Sequence, residues 1–585
     1  MRRTRAASLA ATVAAAALVL AACGGGGGGG GGSQDASEGG VFADCATSPN
    51  TCNSAPADQL QQGGTVTVAA EKNIDNWNTI SSEGNVDWTA MMTKPLVPYT
   101  FYTAPDLKST MNTDLLTSAE VTSDSPFTVT YKIKPEAVWN DGTPVSADDF
   151  IMNWKWQNGR DCPECETAGN GGYDLVTSVV GSDGGKTVTV TYSKPYTDWE
   201  GLFGSSNPLY PAHIGAQQGD LNTPAGEKAA FDYFGANVPN WSAGPFQVQN
   251  WQNNVALTLV PNPKWYGATK PKIDQLIFRV ITDATQEPIA LQNNEVQVLF
   301  PQPQVDLVSQ LQQIPNVSQF QNQGLTWEHF DFNLQNKFLA DKSLRQALFT
   351  AVNRQEIIDK TVGQFNKDIK PLNNHMFIPQ QDGYQDNITA TGQGAGDVEK
   401  AKKILTDAGY TGVGTALVAP DGQPVPTLRM RYTTGNAVRQ NECELFAGYA
   451  KQLGVNVDIS TTDSLGDTTS SGDYDVIVFG WIQSPYAFNG AQQLWLSSSG
   501  SNYGKYQNPA MDQLINEAAA STDPADATAK LNKADEMLSA DAYVLPLYQK
   551  PTLAAVQNNI GNVRNNSSLD GISYNTSEWG IKSGS

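Results

Sequence analysis

Apolar and polar residues alternate with two different periods along this chain, and the changes of period divide it. At 65–70, TVTVAA, Val66 and Val68 alternate with threonines, the two-residue period of a strand. Residues 127–133, FTVTYKI, alternate in the same way and predict a half-buried strand. Asp141-Gly142 marks a turn, and Ser146 with Asp149 three residues on forms a capping-box pattern that opens a helix through Phe150, Ile151 and Trp154. Residues 176–193 read as two strands around a Gly/Asp/Ser turn. From about residue 244 the pattern changes. VALTLV (255–260) and KIDQLIFRVI (272–281) predict strands, ATQEPIALQNN (284–294) a short helix despite Pro288, and EVQVLF (295–300) a further strand. The strand–helix–strand unit returns later. TLRMRYT (427–433) is a strand, 438–453 a helix stopped by Gly454, VNVDIS (455–460) a strand, and YDVIVFGW (474–481) an unbroken apolar run of the kind buried on both faces. Helices at 343–352 and 397–408 lie between the two units, the second ending at Gly409, a natural left-handed cap. The pattern predicts two α/β regions with a mainly β region before the first, and no solenoid repeat. Ligands of such sheets sit outside the carboxyl ends of the strands. Here the YDVIVFG strand runs into Trp481-Ile482-Gln483-Ser484-Pro485-Tyr486-Ala487-Phe488-Asn489.

The length of 585 residues accommodates two to four domains at roughly 100–200 residues each. Apolar residues at 39% and charged residues at 16% fit a soluble globular protein. A formal net charge of -22 argues against nucleic acid as a partner, since phosphate binding needs a basic face; the acidity reads as solubility. The one long apolar stretch lies near the start. Residues 1–22 pair a short basic segment with an Ala/Leu/Val run and small residues, the pattern of a secretory signal peptide. Leu20-Ala21-Ala22-Cys23 resembles the lipobox of bacterial lipoproteins, in which the cysteine is acylated and becomes the first residue; the alternative is an ordinary signal peptide with a cysteine at that place. Several acyl chains at Cys23 would hold the protein stably to the outer face of the cell membrane. Nine glycines follow, and residues 23–61 as a whole read as a flexible tether reaching roughly 35 Å as a random coil.

Export implies an oxidising compartment. Cys45 and Cys52 lie in a polar loop and predict a small disulfide ring. Cys162-Pro-Glu-Cys165 could be a redox pair, half a zinc site or a structural disulfide; neither a thioredoxin-like context nor a second ligand pair accompanies it, which favours the disulfide. Cys443 falls at helical spacing with Phe446, Ala447, Ala450 and Leu453 and reads as a buried thiol. The glycine-rich stretch 181–187 is one residue short of a phosphate loop and runs into a strand, so it reads as a hairpin turn. His213, His329 and His375 are far apart, and no carboxylate pair stands out. The residues give no argument for an enzyme, a metal or a cofactor.

Several segments together resemble the extracytoplasmic solute-binding proteins of ABC importers, family 5, the oligopeptide/dipeptide/nickel-binding family. They are VWNDGTPVSADDF (138–150), GPFQVQNWQNNVALTLVPNPKWYG (244–267), FDFNLQNKFLADKSLRQALFTAVNRQEII (330–358), AKKILTDAGY (401–410), YDVIVFGW and LPLYQKPTLAAV (545–556), in the family's order across about residues 60–580. The resemblance implies an α/β, bilobal periplasmic-binding-protein-like fold (type II, cluster C): two α/β lobes and an additional β-rich domain. Domain I would comprise 62–88, 243–327 and 548–585, domain II 89–242, and domain III 328–547, with a hinge near 327 and 548. It implies a monomeric lipoprotein that captures an oligopeptide or other small solute and passes it to ABC permease subunits. A binding protein of the same fold for a glycan or mannosylated lipid is the alternative.

The family's peptide binders grip the ligand's amino terminus with an Asp three residues after the Trp of a Gly-Trp segment. Gly480 and Trp481 match, but that position is Ser484, and Val478 stands where such binders place an Arg. A serine cannot neutralise an ammonium group in a closed cleft. GWIQSPYAFNG looks closer to an actinobacterial branch of the family, and Glu83 sits about where some members carry an acid facing the ligand. The expected ligand-binding residues are therefore Glu83, Trp481, Gln483, Ser484, Tyr486 and Phe488, with the aromatics offering flat surfaces to side chains or sugar rings. Ordinary packing is the other reading of those aromatics.

Overall fold

A computed structural model describes residues 42–44, 48–169, 171–463 and 465–584. The signal segment, Cys23, the glycine run and Cys45 lie outside the described residues, and Cys52 is disulfide-bonded.

Two long strands, Val317–Phe332 and Val544–Gln557, pair antiparallel at the centre of an eleven-stranded sheet. On one side of them the sheet continues through Val476–Ile482, Leu428–Thr433 and Val457–Thr462. On the other it continues through Val298–Leu299, Thr65–Ala70, Gln275–Val280, Ala256–Pro261 and Phe246–Gln252, and off this path Phe42–Asp44 pairs parallel with the first long strand. The expected strand at 295–300 shrinks to two residues, in which Val298 pairs with both Val68 and Val556.

Burial separates this sheet into distinct cores. One joins Val66, Val68, Leu276 and Phe278 to a separate four-stranded sheet, Leu116–Asp124, Phe127–Ile133, Thr187–Tyr192 and Val176–Ser182, through Val129, Tyr131, Val188 and Val190. A second joins Phe330, Met430, Phe446, Val476 and Val478, and a third gathers Trp327, Trp495, Met511 and Ile515. The two long strands serve both ends, with Phe320, Ala554 and Val556 in the first core and Phe330, Leu545 and Leu547 in the second. Between these ends the pairing register shifts from Gln323↔Pro551 to Trp327↔Gln549, so that three residues on one strand face one on the other. Such a bulge bends a strand locally.

Local rules place the elements. Ser146 and Asp149 form the expected capping box at the start of helix Ala147–Gln157. The Asp149 carboxylate also accepts from Ala212 N at 2.8 Å and Trp139 Nε1 at 3.3 Å, tying the helix to two neighbouring segments. Its burial pushes the carboxyl up to about 6 against those hydrogen bonds. Pro288 is accommodated in the first turn of helix Glu287–Gln292, where no backbone donor is needed. Gly409 ends helix Val398–Asp407 at φ 88°. Cys162 and Cys165 form a disulfide, and Cys443 is a buried free thiol.

One expectation is corrected. The tether does not run to residue 61, because residues 48–61 are fastened to the C-terminal segment. Asn53 Nδ2 donates to Ile560 O at 3.2 Å and Val563 O at 3.0 Å, Ala55 N donates to Asn562 Oδ1 at 2.8 Å, and Leu60 is buried. Small polar residues concealed this, since side-chain amides rather than apolar contacts do most of the fastening. Among the described residues, no helix is long and apolar enough to cross a membrane.

Replacing Ser146 by Ala removes one cap and should cost about 1 kcal/mol in urea unfolding. Asp149→Ala leaves several buried donors without their acceptor and should cost about 3 kcal/mol or more in the same measurement.

Candidate functional site

A cavity of about 190 Å³ opens between the two halves of the large sheet. One wall comes from Thr326 and Glu328 on the first long strand, Tyr548, Lys550 and Thr552 on the second, Ile482 at the end of its strand, and Arg439. Strand alternation explains this set. Thr326 pairs with Ile482, and Glu328 with Gly480 and with Tyr548, so every second residue of three strands faces the same space. The other wall holds Glu71, Asp87, Trp88, Met91, Phe300 and Leu569.

Glu328 is the centre of the first wall. Only 1% of it is exposed, yet it keeps its charge because two cations converge on it. Arg439 donates Nε to Oε2 at 3.0 Å and Nη2 to Oε1 at 2.8 Å, a bidentate pair, and Lys550 Nζ lies 3.0 Å from Oε1. Burial pushes the Glu328 carboxyl upward, but Lys550 and Arg439 outweigh it and hold the group at about 2. Arg439 sits in the first turn of helix Ala437–Gln452, where Asn436 caps by accepting from Arg439 N at 3.0 Å. A cation is unfavourable at that end of a helix dipole, and Glu328 compensates it. Beneath lies Glu442, fully buried, its Oε1 accepting from Tyr548 Oη at 2.6 Å. Burial, and then the charge of Glu328, push it up to about 8, so it is mostly neutral at pH 7. One anion and two cations leave this wall with a net positive charge.

Gly480 makes room for the ion pair. A Cβ there would lie 3.1 Å from Thr326 Cγ2, 3.2 Å from Glu328 Oε1 and 3.5 Å from Arg439 Nη2. This gives a local physical reason for the Gly of the Gly-Trp segment.

The opposite wall is acidic and partly apolar. Burial raises the Glu71 carboxyl, Trp88 Nε1 approaches it at 3.4 Å, and neighbouring Asp87 raises it further. Glu287, 1% exposed, is pushed up to about 8 by burial and by the charge of Glu71. Ile482 and Leu569, 52% and 41% exposed, bring large apolar side chains to this cavity from the two sides.

The residues expected from the sequence lie outside the lining of this cavity. Glu83 is exposed and accepts from Asn76 Nδ2 at 3.0 Å, away from the cavity lining. Trp481 is one residue out of phase with Gly480 and Ile482, so it faces the other side of the sheet. There it stacks on Tyr503 at 5.8 Å and on His329 at 6.0 Å. Gln483 is buried, its side chain donating to Met376 O. Ser484 Oγ accepts from Tyr486 N at 3.0 Å and closes its own turn. Phe488 packs against Phe377, and the Tyr486 hydroxyl reaches Ser109 Oγ at 3.4 Å and Glu200 O at 3.2 Å. The sequence reading missed Glu328, Arg439, Lys550 and Glu71.

Each histidine pairs with a different carboxylate: His213 with Asp141, His329 with Asp331 and His375 with Asp535. The three therefore do not converge on one site.

Comparison with known proteins agrees with this architecture. Residues 110–505 match the family described as "Bacterial extracellular solute-binding proteins, family 5 Middle". The oligopeptide-binding protein OppA of Mycobacterium tuberculosis H37Rv is 33% identical over 515 residues, covering 86% of this chain and 83% of that protein. The solved structure of the periplasmic EDTA-binding protein EppA is 38% identical, with a TM-score of 0.86 over 91% of this chain and 99% of that one. The oligopeptide-binding protein AppA of Bacillus subtilis, solved with a nonapeptide, shares the fold at 21% identity, with a TM-score of 0.70 over 89% of this chain and 99% of that one. With its two cores bridged by a pair of long strands and a cavity between them, the chain belongs to the family 5 extracellular solute-binding proteins and has their bilobal α/β fold.

Proposed function

We propose that this protein is a lipid-anchored receptor that captures an oligopeptide between its lobes and delivers it to an ABC importer permease. Domain I (62–88, 243–327, 548–585) with the β-rich domain II (89–242) forms one side, and domain III (328–547) the other. The lobes close about the bulge at 324–326. The observation that carries the reading is the opposed charge of the cavity walls. Arg439 and Lys550 offer donors to a carboxylate, and Glu71 offers acceptors to an ammonium group beside Asp87, which is itself paired with Lys72 at 3.1 Å. These acids take the part that Ser484 cannot. Ile482, Leu569 and Met91 give side chains an apolar surface. The naming of relatives for oligopeptides supports the same reading. The protein binds and releases without chemical conversion, and the anchor is Cys23.

A second reading is a metal chelate or another polycarboxylate. The Arg439–Lys550 pair suits it, as does the 38% identity to a protein named for binding EDTA. The glycan alternative loses its main support, because Trp481 and Phe488 are engaged in packing.

Calorimetry on the mature protein separates these readings. The probes are a tripeptide such as Ala-Ile-Ala with free ends, its N-acetylated and C-amidated forms, ferric EDTA, and an oligomannoside. The peptide reading predicts binding of the free peptide, weakened by about tenfold or more when either end is blocked. Ferric EDTA binding without peptide binding would replace it with the chelate reading, and oligomannoside binding alone with the glycan reading. Glu71→Gln should weaken the free peptide by about tenfold and leave the acetylated form unchanged; Arg439→Met should do the same for the carboxylate end. Gly480→Ala should weaken both forms by displacing the ion pair, with a cost of about 1–3 kcal/mol in binding. Cys23→Ser should move the protein from the membrane fraction to the medium; retention on the membrane would contradict the anchor.

A further inference from the structure

Helix Ala487–Trp495 begins without a cap of its own. Its N-cap residue, Tyr486, makes no side-chain capping bond, although a helix N-terminus leaves four backbone donors to satisfy. The acceptor comes from a distant part of the chain. Asp198 Oδ2 accepts from Asn489 N at 2.6 Å, and the Phe488 amide also bears on this carboxylate. The preceding residue does the converse. Thr197 Oγ1 donates to Ser521 O at 2.8 Å, and Thr197 N donates to Ala519 O at 3.2 Å; the carbonyl oxygens of Ala518 and Ala519 also lie within 3.3 Å of the hydroxyl. Those carbonyls end helix Pro509–Ala519. Two consecutive residues therefore serve two helices at opposite ends, the acid at an N-terminus and the hydroxyl donor at a C-terminus. Each suits the helix dipole it meets.

These contacts join two separate cores. Tyr196, Leu202 and Phe203 flank the Thr197-Asp198 pair and belong to the core of the four-stranded sheet; Phe488, Trp495, Met511 and Ile515 belong to the core of the other lobe. The fit is close. Asn489 Nδ2 donates to Tyr196 Oη at 3.0 Å, and a Cβ on Gly201 would lie 3.0 Å from the Tyr486 ring.

We infer that Thr197 and Asp198 form an interlobe latch: they cap two helices of the opposite lobe only when the lobes are closed. The inference rests on the two-lobe reading but not on the identity of the ligand. The environment of Asp198 supports it. The carboxylate is 7% exposed, and the charged or titratable groups around it are Glu200 and Tyr196 on its own segment and Tyr486 on the other side. Burial pushes it up to about 7 despite the amide hydrogen bonds. An opened cleft returns it to water and to the ordinary carboxylate range. The closed form then binds the proton more tightly, so closure takes up a proton and strengthens as pH falls from about 7 towards 4.

The test needs no ligand, so its failure leaves the peptide reading untouched. Spin labels at Val180→Cys and Gln493→Cys report the distance between the lobes, and hydrogen exchange reports the Phe488 and Asn489 amides in the full mature protein. Asp198→Ala with Thr197→Val should lengthen the distance and speed exchange at those amides by about tenfold, while exchange in the sheet strands stays unchanged. Asp198→Asn keeps an acceptor and should preserve the short distance, but it should abolish the gain in closed population between pH 8 and pH 5. An unchanged distance in the double variant overturns the latch. A pH profile that persists in Asp198→Asn overturns the part given to Asp198. Should the double variant fail to fold, the Asn variant and its pH profile still decide that part.

Discussion

A carboxylate with 1% exposure must have its charge answered, and the answer given to Glu328 organises the ligand side of this protein. Arg439 reaches it from a helix and Lys550 from the neighbouring long strand. Each of those elements is thereby fixed at the place where the two lobes meet. Removing either cation would leave a buried charge short of partners, a situation that costs several kcal/mol in folded proteins. The same arrangement presents surplus positive charge to the cavity. Gly480 is required by it sterically, and Glu442 accommodates it by taking the neutral form.

The second constraint is mechanical. The pair Val317–Phe332 and Val544–Gln557 contributes to the buried cores on both sides, and its register breaks between Gln323 and Trp327. A bulge there lets the strands bend without breaking either core. The Thr197-Asp198 contacts lie away from this point, on the β-rich part of the chain. Hinge and latch would thus act at separate places, with the charged cavity enclosed when both are engaged.

Much of this was legible in the sequence. The capping box at Ser146, the helix stop at Gly454 and the buried run at 476–479 follow from local rules that tertiary structure did not override. The site was less legible. Trp481 offers a flat aromatic surface, but strand alternation sends it to the far face and gives the cavity to Ile482. Glu83 lies in the loop between the two acids that do line the wall, Glu71 and Asp87. Glu328, Arg439 and Lys550 are separated by more than a hundred residues, and no spacing rule connects them. Only the pairing of strands does. The attachment of residues 48–61 was hidden for the same reason, since Asn53 and Asn562 find each other across the whole chain.

The most direct measurement is a crystal structure of the mature protein grown with a free-ended oligopeptide. The account predicts the peptide carboxylate within hydrogen-bond reach of Arg439 and Lys550, and its amino end beside Glu71. A peptide seated elsewhere, with the Arg439–Glu328–Lys550 cluster untouched and its amino end against Ser484 or Glu83, would contradict it.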